Sequence, residues 1–590
     1  MTSATGVPVV AAATPEPLRT PWRTHLLVLL GLLVLGLLQC APLLSHPRSE
    51  TLAGGGRDIS IFLFFLSNTS HSLVHGQLGN VMVMHTLNAP LGVNSMWNTS
   101  LLLPGVVLTP VTALAGPILS LNLIIVLGPV LSGWSAYLCS GRFLRRTSAR
   151  VVTGALFGFS PGLLAANNGH FHLTLLMLVP PILLLTVDAV TRHRPPLLSG
   201  VLIGLCVTCQ VLIGEEVLAL TGGTVAVLLA VLAVQRLSLV REVLRPLLLT
   251  TAWVLGTVLL TAGPFLAVQF FGPQSVREAV SAPDTIVLDP TALVVPPPAI
   301  LSRGLGLPLD TWDLSDAERM GYLGLPLLLL LAVVAFRGRH DLVTRTAAVS
   351  ATVLAIFALG FTLHLNGHAT GIWMPWKLTD GLPLLGNILP VRWMLMSQLL
   401  TALLVGLALD AAGSTRITSR GRAASGAVVA LCLLPLIPRT SGPGTSTHTP
   451  DWFTTAGQHV TSPVLVVPLP RPASPEAMTW AAVGGTHFPL VGGYFIGPHK
   501  DQVGGFGTYP VRPTEHLLDL ISATGATLRV STGVKLRAQA DLTYWGTRTV
   551  VLGPSTREQP YLAFLSALLG RPERTGGVWV WAVPERIVAP

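Results

Sequence analysis

Apolar residues run in long unbroken blocks from residue 26 to residue 438, and in short blocks beyond it. The first, HLLVLLGLLVLGLLQCAPLLS from His25, holds no acid, lysine or arginine over a length that suits a bilayer, about 20 residues at helical rise. Similar blocks predict helices over 26–45, 113–138, 151–168, 171–190, 197–214, 217–235, 246–271, 320–336, 344–364, 391–411 and 424–438. The first two are separated by a long loop, 46–112, which contains RDISIFLFFLSNTSHSLVHGQLGNVMVMHTLNAPLGVNSMWNTS. That is too much chain for a simple turn. The pattern changes after Pro438. A polar stretch, 439–450, reads as a flexible linker rich in Thr, Ser, Gly and Pro. Beyond it TSPVLVVPLP, RTVVLGP and GVWVWAVP predict short buried strands, and PTEHLLDLISATG and QPYLAFLSALLG predict amphipathic helices ending near glycine. Residues 451–590 are therefore expected to form an α/β domain.

Charge orients the blocks. Arginines gather at Arg142, Arg145, Arg146 and Arg150, at Arg192 and Arg194, and at Arg236, Arg241 and Arg245. Further clusters are Arg337, Arg339 and Arg345, then Arg416, Arg420 and Arg422. Placing these in the cytoplasm, with Arg19 and Arg23, makes about eleven spans alternate, with the amino terminus inside and the carboxy terminus outside. Residues 1–24, rich in Ala, Thr and Pro, read as a disordered cytoplasmic tail. The first span is longer than a signal-peptide core of about 7–15 residues, so it reads as a retained anchor. Residues 25–438 are then a transmembrane bundle, and 451–590 an extracytoplasmic domain.

Composition agrees: 51% of residues are apolar, 11% are charged and the mean hydropathy is +0.65. Soluble chains carry about 25% charged residues. The net charge of +10 lies largely in the short loops, which argues for orientation and against nucleic-acid binding. The five cysteines lie in or beside apolar spans, so no disulfide framework holds the carboxy-terminal part. Cys206 and Cys209 have CxxC spacing but no nearby partners, and read as apolar packing. The NTS triplets at Asn68 and Asn98 sit beside apolar sequence and read as coincidental.

The candidate chemistry lies at one set of span ends. Asp58 is the sole acid between Glu50 and Asp188. It could cap the following helix or serve a reaction. His71 and His75 share a helical face at ligand spacing, without a third placed ligand. The outer ends carry Asn167, Asn168, His170 and His172, then Glu215 and Glu216, then His364, Asn366 and His368. Of the two glutamates, one can face water and the other the cavity. The outer loops add Asp284, Asp289, Asp310, Asp313 and Asp316, with Lys377 in WMPWKLTD. Trp97, Trp373 and Trp376 fit an interfacial belt. Ionisable groups near hydrocarbon are costly and mark functional sites. One outward cavity would collect them. The aromatic, glycine-rich segment THFPLVGGYFIGPH, 486–499, is read as packing on the bundle, with glycan stacking as the alternative.

This arrangement resembles the GT-C superfamily, polytopic glycosyltransferases that use polyprenyl-phosphate sugars. Locally it is similar to uncharacterised actinobacterial members through RDISIFLFFLSNTSHSL, NAPLGVNSMWNTSLLLPG and NNGHFHLTLLMLVPP. The resemblance implies transfer to a glycan or lipid acceptor of the cell envelope, with inversion. It implies the first-loop acid, Asp58, as general base, and Arg57, Lys377, Arg392 and the outward histidines as groups that hold the phosphate. His71, His75, His170, His172, Glu215 and Glu216 complete the candidate substrate-binding set. The paired acids of some members are absent from Arg57-Asp58-Ile59-Ser60, which leaves a divalent-metal requirement open and the cofactor unassigned. A transporter or flippase of lipid-linked saccharide would share the composition but often shows internal repeats, and none is found. A non-catalytic envelope-assembly protein would keep the outer domain and tolerate loss of Asp58.

Overall fold

A computed structural model describes residues 20–52, 57–191, 194–277, 286–305, 318–382, 385–413, 418–442 and 444–583. The tail up to residue 19, Arg192, Arg416 and the acids Asp284, Asp310, Asp313 and Asp316 lie outside the described residues. Among the described residues six helices are long and apolar enough to cross a bilayer: Trp22–Gln39, Pro117–Ser140, Thr147–Ala166, Glu215–Gln235, Glu242–Thr261 and Pro390–Ala412. Shorter apolar helices are Val179–Thr191, Pro196–Val211, Leu325–Arg337 and Leu342–Phe357. The protein is a multi-pass membrane protein. Asn167, His170, Glu216 and Arg392 stand at or just beyond the ends of such helices.

Several expected spans differ in their limits. The block 171–190 becomes helical only at Val179, because Phe171–Thr174 forms one 3₁₀ turn before Pro180 and Pro181 enter a first helical turn. The block 320–336 starts at Leu325, behind Gly324 with φ 78° and ahead of Pro326. The block 246–271 divides into Leu237–Thr261 and Gly263–Phe271. Arg241 and Arg245 are therefore in the first turns of a helix and not in a loop. Arginine is a good helix former, so a helix can continue past its apolar stretch.

With no water to expel, membrane helices associate through close packing of small residues. A Cβ on Gly133 would lie 2.7 Å from the Gly154 carbonyl oxygen, and one on Gly154 2.6 Å from that of Gly133. That pair seats Pro117–Ser140 against Thr147–Gly158. Gly200 and Gly204 do the same for Pro196–Val211 against Leu237–Thr261, where their Cβ atoms would meet Trp253 and Thr257.

Beyond residue 460 the chain forms a four-stranded sheet. Val464–Val467 runs parallel to Thr549–Leu552, which pairs antiparallel with Val578–Ala582, itself antiparallel to Glu573–Thr575. Pro513–Thr524, Thr532–Trp545 and Glu558–Leu569 are helices, and Leu518, Trp545, Tyr561 and Phe564 fill a core with Leu465, Val550 and Trp581. The first and last of these helices end at Gly525 and Gly570, both with positive φ.

The segment 439–450 is tied, not free. Gly444–Ser446 pairs antiparallel with Glu50–Leu52, and Ser441 N and Thr447 N donate to Gln39 O and Ser49 O. Polar composition signalled a hinge, but its backbone donors find partners at Ala299, at the end of the first helix and in the first loop. That loop also meets 486–499: Asn88 N donates to Gly492 O, Ala89 N to Leu490 O, and Leu490 N to Thr86 O. The helix Glu476–Val483 lies along Asp58–Val74, with Thr479 Oγ1 and Ser60 Oγ 2.8 Å apart. Phe62, Phe65, Phe453, Trp480, Phe488 and Phe495 join in one core. The two sequon asparagines are interior. Asn68 is 1% exposed and Asn98 8%, and both amide nitrogens donate to backbone carbonyls.

Candidate active site

Asp58 opens the helix Asp58–Val74, whose residues Ile59, Ser60 and Phe62 to Ser70 are all buried. A helix buried all round is placed by its surroundings, and its first turn is fixed with it. Asp58 is not the cap. Arg57 occupies the capping position, without a side-chain hydrogen bond. The carboxylate instead takes partners from distant chain: Tyr494 Oη donates to Oδ1 at 2.8 Å, and His170 Nδ1 lies 3.5 Å from Oδ2. Its side chain is 29% exposed.

From His170 the network runs inward. His170 Nε2 lies 2.8 Å from Glu318 Oε1, which accepts from Arg392 Nη2 at 2.7 Å. Arg392 Nη1 donates to Glu216 Oε2, which lies 3.8 Å from His172 Nε2. Seven side chains thus link in series: Tyr494, Asp58, His170, Glu318, Arg392, Glu216 and His172. Glu318 is 3% exposed, so its charge persists only with partners. Burial alone would raise its carboxyl, but the Arg392 charge and the His170 contact outweigh burial and hold it well below the usual carboxylate range. Burial pushes the His172 imidazole down, against the pull of Glu216. Burial and then the Asp58 charge push the Tyr494 phenol well up, so Tyr494 stays protonated as a donor.

Four buried atoms in this cluster, His172 Nδ1, Glu216 Oε1, Glu318 Oε2 and Arg392 Nε, have no protein partner among the described residues. Buried polar groups are normally paired. The junction can receive substrate hydroxyls or water.

The structure sorts the candidate residues. Asp58, His170, His172, Glu216 and Arg392 come together. Arg392 is committed to two carboxylates, which removes it from the groups free to hold a phosphate. Glu215 is part-buried and outside the series of contacts: Gln269 Nε2 donates to its Oε2 at 2.6 Å. Arg57 is exposed beside Asp58. Lys377 is exposed in the turn Pro375–Thr379, outside the network. His364 and His368 are on the hairpin Thr362–Leu365 and His368–Trp373, also outside it. Trp376 is a core residue and not part of an interfacial belt: it is 4% exposed, with its ring centroid 5.2 Å from that of Trp393. His71 and His75 lie at the far end of the Asp58 helix, about 20 Å away at about 1.5 Å per residue. There they stack at 4.2 Å, and His487 meets His71 edge-on at 5.1 Å.

Glu318 and Tyr494 escaped the sequence reading. Glu318 precedes Arg319 and passes for half of a solvated pair. Tyr494 is inside a segment read as packing, which it also is. Among the described residues no three His, Cys, Asp or Glu side chains form a metal-ligand set. The acid linked to Asp58 through His170, Glu318, is consumed by Arg392, so the two do not make a shared cation site.

No protein-family model and no curated protein matches the chain. Among solved structures, the mycobacterial arabinofuranosyltransferase AftD matches 96% of this chain with a TM-score of 0.55 at 16% identity, over 40% of its own length. A variant of that enzyme gives 0.52 at 15% identity, over 95% of this chain and 42% of that one. ArnT from Cupriavidus metallidurans is a weaker likeness, with a TM-score of 0.41 at 14% identity over 96% and 99% of the two chains. The chain spans about two fifths of the length of the arabinofuranosyltransferase chains. At such identities likeness speaks of architecture alone, and this chain shares the fold of the arabinofuranosyltransferase.

Proposed function

We propose that the protein is a membrane glycosyltransferase that moves a hexosyl or pentosyl group from a polyprenyl-phosphate donor to a hydroxyl of a cell-envelope glycan or lipid. The observation that carries this reading is Asp58: a part-exposed carboxylate at a helix start, held on one oxygen by Tyr494, with the other oxygen only loosely faced by His170. That second oxygen is available to an acceptor hydroxyl. It takes the hydroxyl proton as the acceptor oxygen bonds to the anomeric carbon. The bond from that carbon to the lipid-phosphate oxygen breaks, and the phosphate leaves with the electron pair, inverting the centre. A lipid phosphate is a good leaving group, so the protein supplies the base and a seat for the phosphate. Arg57, exposed at the positive end of the Asp58 helix, is the cation for that seat. His170, through Glu318 and Arg392, fixes the far side of Asp58.

In this reading the Asp58 end of the bundle and residues 451–590 lie on the outer face. The arginine-marked ends lie in the cytoplasm, with about eleven spans between and the amino terminus inside. Asp58→Asn tests the chemistry. The amide is nearly isosteric but cannot take a proton, and general base catalysis is worth roughly 10²–10⁴-fold. Isolated membranes given a panel of polyprenyl-phosphate sugars should lose transfer by that factor, while the variant melts where the parent does. Parental rates from a stable variant would remove Asp58 from the mechanism.

A further inference from the structure

At the arginine-marked end of the bundle, away from Asp58, lies a cavity of about 170 Å³. Its walls come from six helices, through residues such as Leu183, Leu228, Leu232, Ala347 and Leu399, and among the described residues no acid, amide or base lines it. Apolar cavities of about 150 Å³ stay dry and take up hydrocarbon. This one reaches the helix ends at Phe143, Thr191 and Leu342. Charge collects there. Arg142 lies 5.7 Å over the Phe143 ring and donates to Asp188 Oδ1 at 3.0 Å, and Arg194 meets Asp188 Oδ2 at 3.4 Å. Arg345 donates to Gln235 Oε1 at 2.8 Å, and the hydroxyl of Thr346, a wall residue, lies 3.3 Å from the same oxygen. Three guanidinium groups share one carboxylate and one amide. The rim is cationic, and the shaft behind it is hydrocarbon.

That combination describes the binding partner. We propose that this cavity holds an acyl chain of an anionic glycerophospholipid from the leaflet opposite the Asp58 site, with its phosphate at Arg194 and Arg345. Basic pockets between membrane helices favour anionic headgroups, and each arginine near the surface contributes roughly fivefold in affinity. A zwitterionic lipid could fill the shaft but would leave the rim uncompensated. Two walls of the cavity, the helices Glu215–Gln235 and Trp393–Ala412, carry Glu216 in the first turn and start next to Arg392, so the lipid would sit between helices that build the site.

The test uses the full chain in nanodiscs of phosphatidylcholine and phosphatidylglycerol at four to one. Lipid that stays bound after release from the disc is counted by native mass spectrometry. The parent should retain one phosphatidylglycerol, preferred over phosphatidylcholine by roughly tenfold or more. Arg194→Gln with Arg345→Gln should bring the preference close to parity. Ala347→Phe, which fills the shaft from the helix Leu342–Phe357, should abolish retention of both lipids at an unchanged melting point. Equal retention of the two lipids by the parent would overturn the proposal, as would full phosphatidylglycerol preference in the double arginine variant. Displacement of phosphatidylglycerol by equimolar undecaprenyl phosphate would also overturn it, in favour of the carrier lipid. If Ala347→Phe does not fold, the arginine variant alone decides.

Discussion

Arg392→Met isolates what the central ion cluster is worth. The guanidinium is 8% exposed and serves two carboxylates, Glu216 at 18% and Glu318 at 3% exposure. Removing one partner of a buried pair costs about 3–5 kcal/mol, because the other charge stays buried without compensation. Glu318→Gln alone leaves Arg392 with Glu216 and weakens the contacts of residue 318 with Arg392 and His170 without removing them, about 1.5–3 kcal/mol in all. If the two acted independently, the double variant would cost the sum, about 5–8 kcal/mol. The structure predicts less. With the guanidinium gone, neutralising Glu318 removes one of the two stranded charges, so the double variant should be no worse than Arg392→Met alone. The coupling should reach about 2–3 kcal/mol, at the upper end for residues in contact. Unfolding midpoints of the four proteins in one detergent under one condition measure it. Costs that add to within about 0.5 kcal/mol would show that the guanidinium and the Glu318 carboxylate do not depend on one another, and the network would lose its centre.

Tyr494→Phe keeps the ring against Phe506, whose centroid is 5.7 Å away, and deletes the donor to Asp58. Transfer should fall roughly tenfold, the equivalent of one charged hydrogen bond, with little change in melting point, and an unchanged rate would remove Tyr494 from the site. His71 is pushed down from 6.5 to about 4, first by burial and then by His75 and His487, and burial lowers His487 as well. The fold therefore keeps both rings neutral, and the stability this gives is complete above pH 6.5 and lost as pH falls from there toward 4. Hydrogen exchange at 484–488 should quicken between pH 7 and pH 5, and His71→Gln should flatten the change; faster exchange at the higher pH, corrected for intrinsic rates, would reverse the sign. Arg57→Gln should raise the KM for the lipid-phosphate donor several-fold at nearly constant kcat, and an unchanged KM would place the phosphate elsewhere.

What could be read from the chain alone depended on how local each signal was. Apolar blocks report burial directly, so the membrane helices stood out, while Leu325 and Val179 mark where proline and glycine set starts that hydropathy could not. Asp58 was visible because it is an isolated acid, and Glu216, His170 and His172 because they end apolar blocks. Glu318 sits beside an arginine, and a charged pair next to a span looks like surface. Tyr494 reaches Asp58 from 436 residues away. No periodicity encodes a contact of that range. Arg392 was visible as a charge, but its role depends on the two carboxylates that surround it. The linker misled for the opposite reason: its composition is that of free chain, yet its pairing with Glu50–Leu52 is non-local.

The sign of charge along the network also orders the two substrates of the proposed reaction. Asp58, Glu216 and Glu318 bring three carboxylates against the single guanidinium of Arg392, with His170 and His172 between them. His172, pushed down by burial, does not offset an anion at neutral pH. A phosphate driven toward Glu216 would meet like charge in a poorly solvated place, where such repulsion is strong. Toward Arg57 it meets a cation and the positive end of a 17-residue helix. In the proposed reaction the donor phosphate therefore belongs on the Arg57 side of Asp58. The hydroxyl-rich partner belongs on the His170 and Glu216 side, where carboxylates and imidazoles accept hydrogen bonds from sugar hydroxyls. In the proposed reaction Asp58 lies between the two, where the proton leaves the acceptor and the phosphate leaves the sugar.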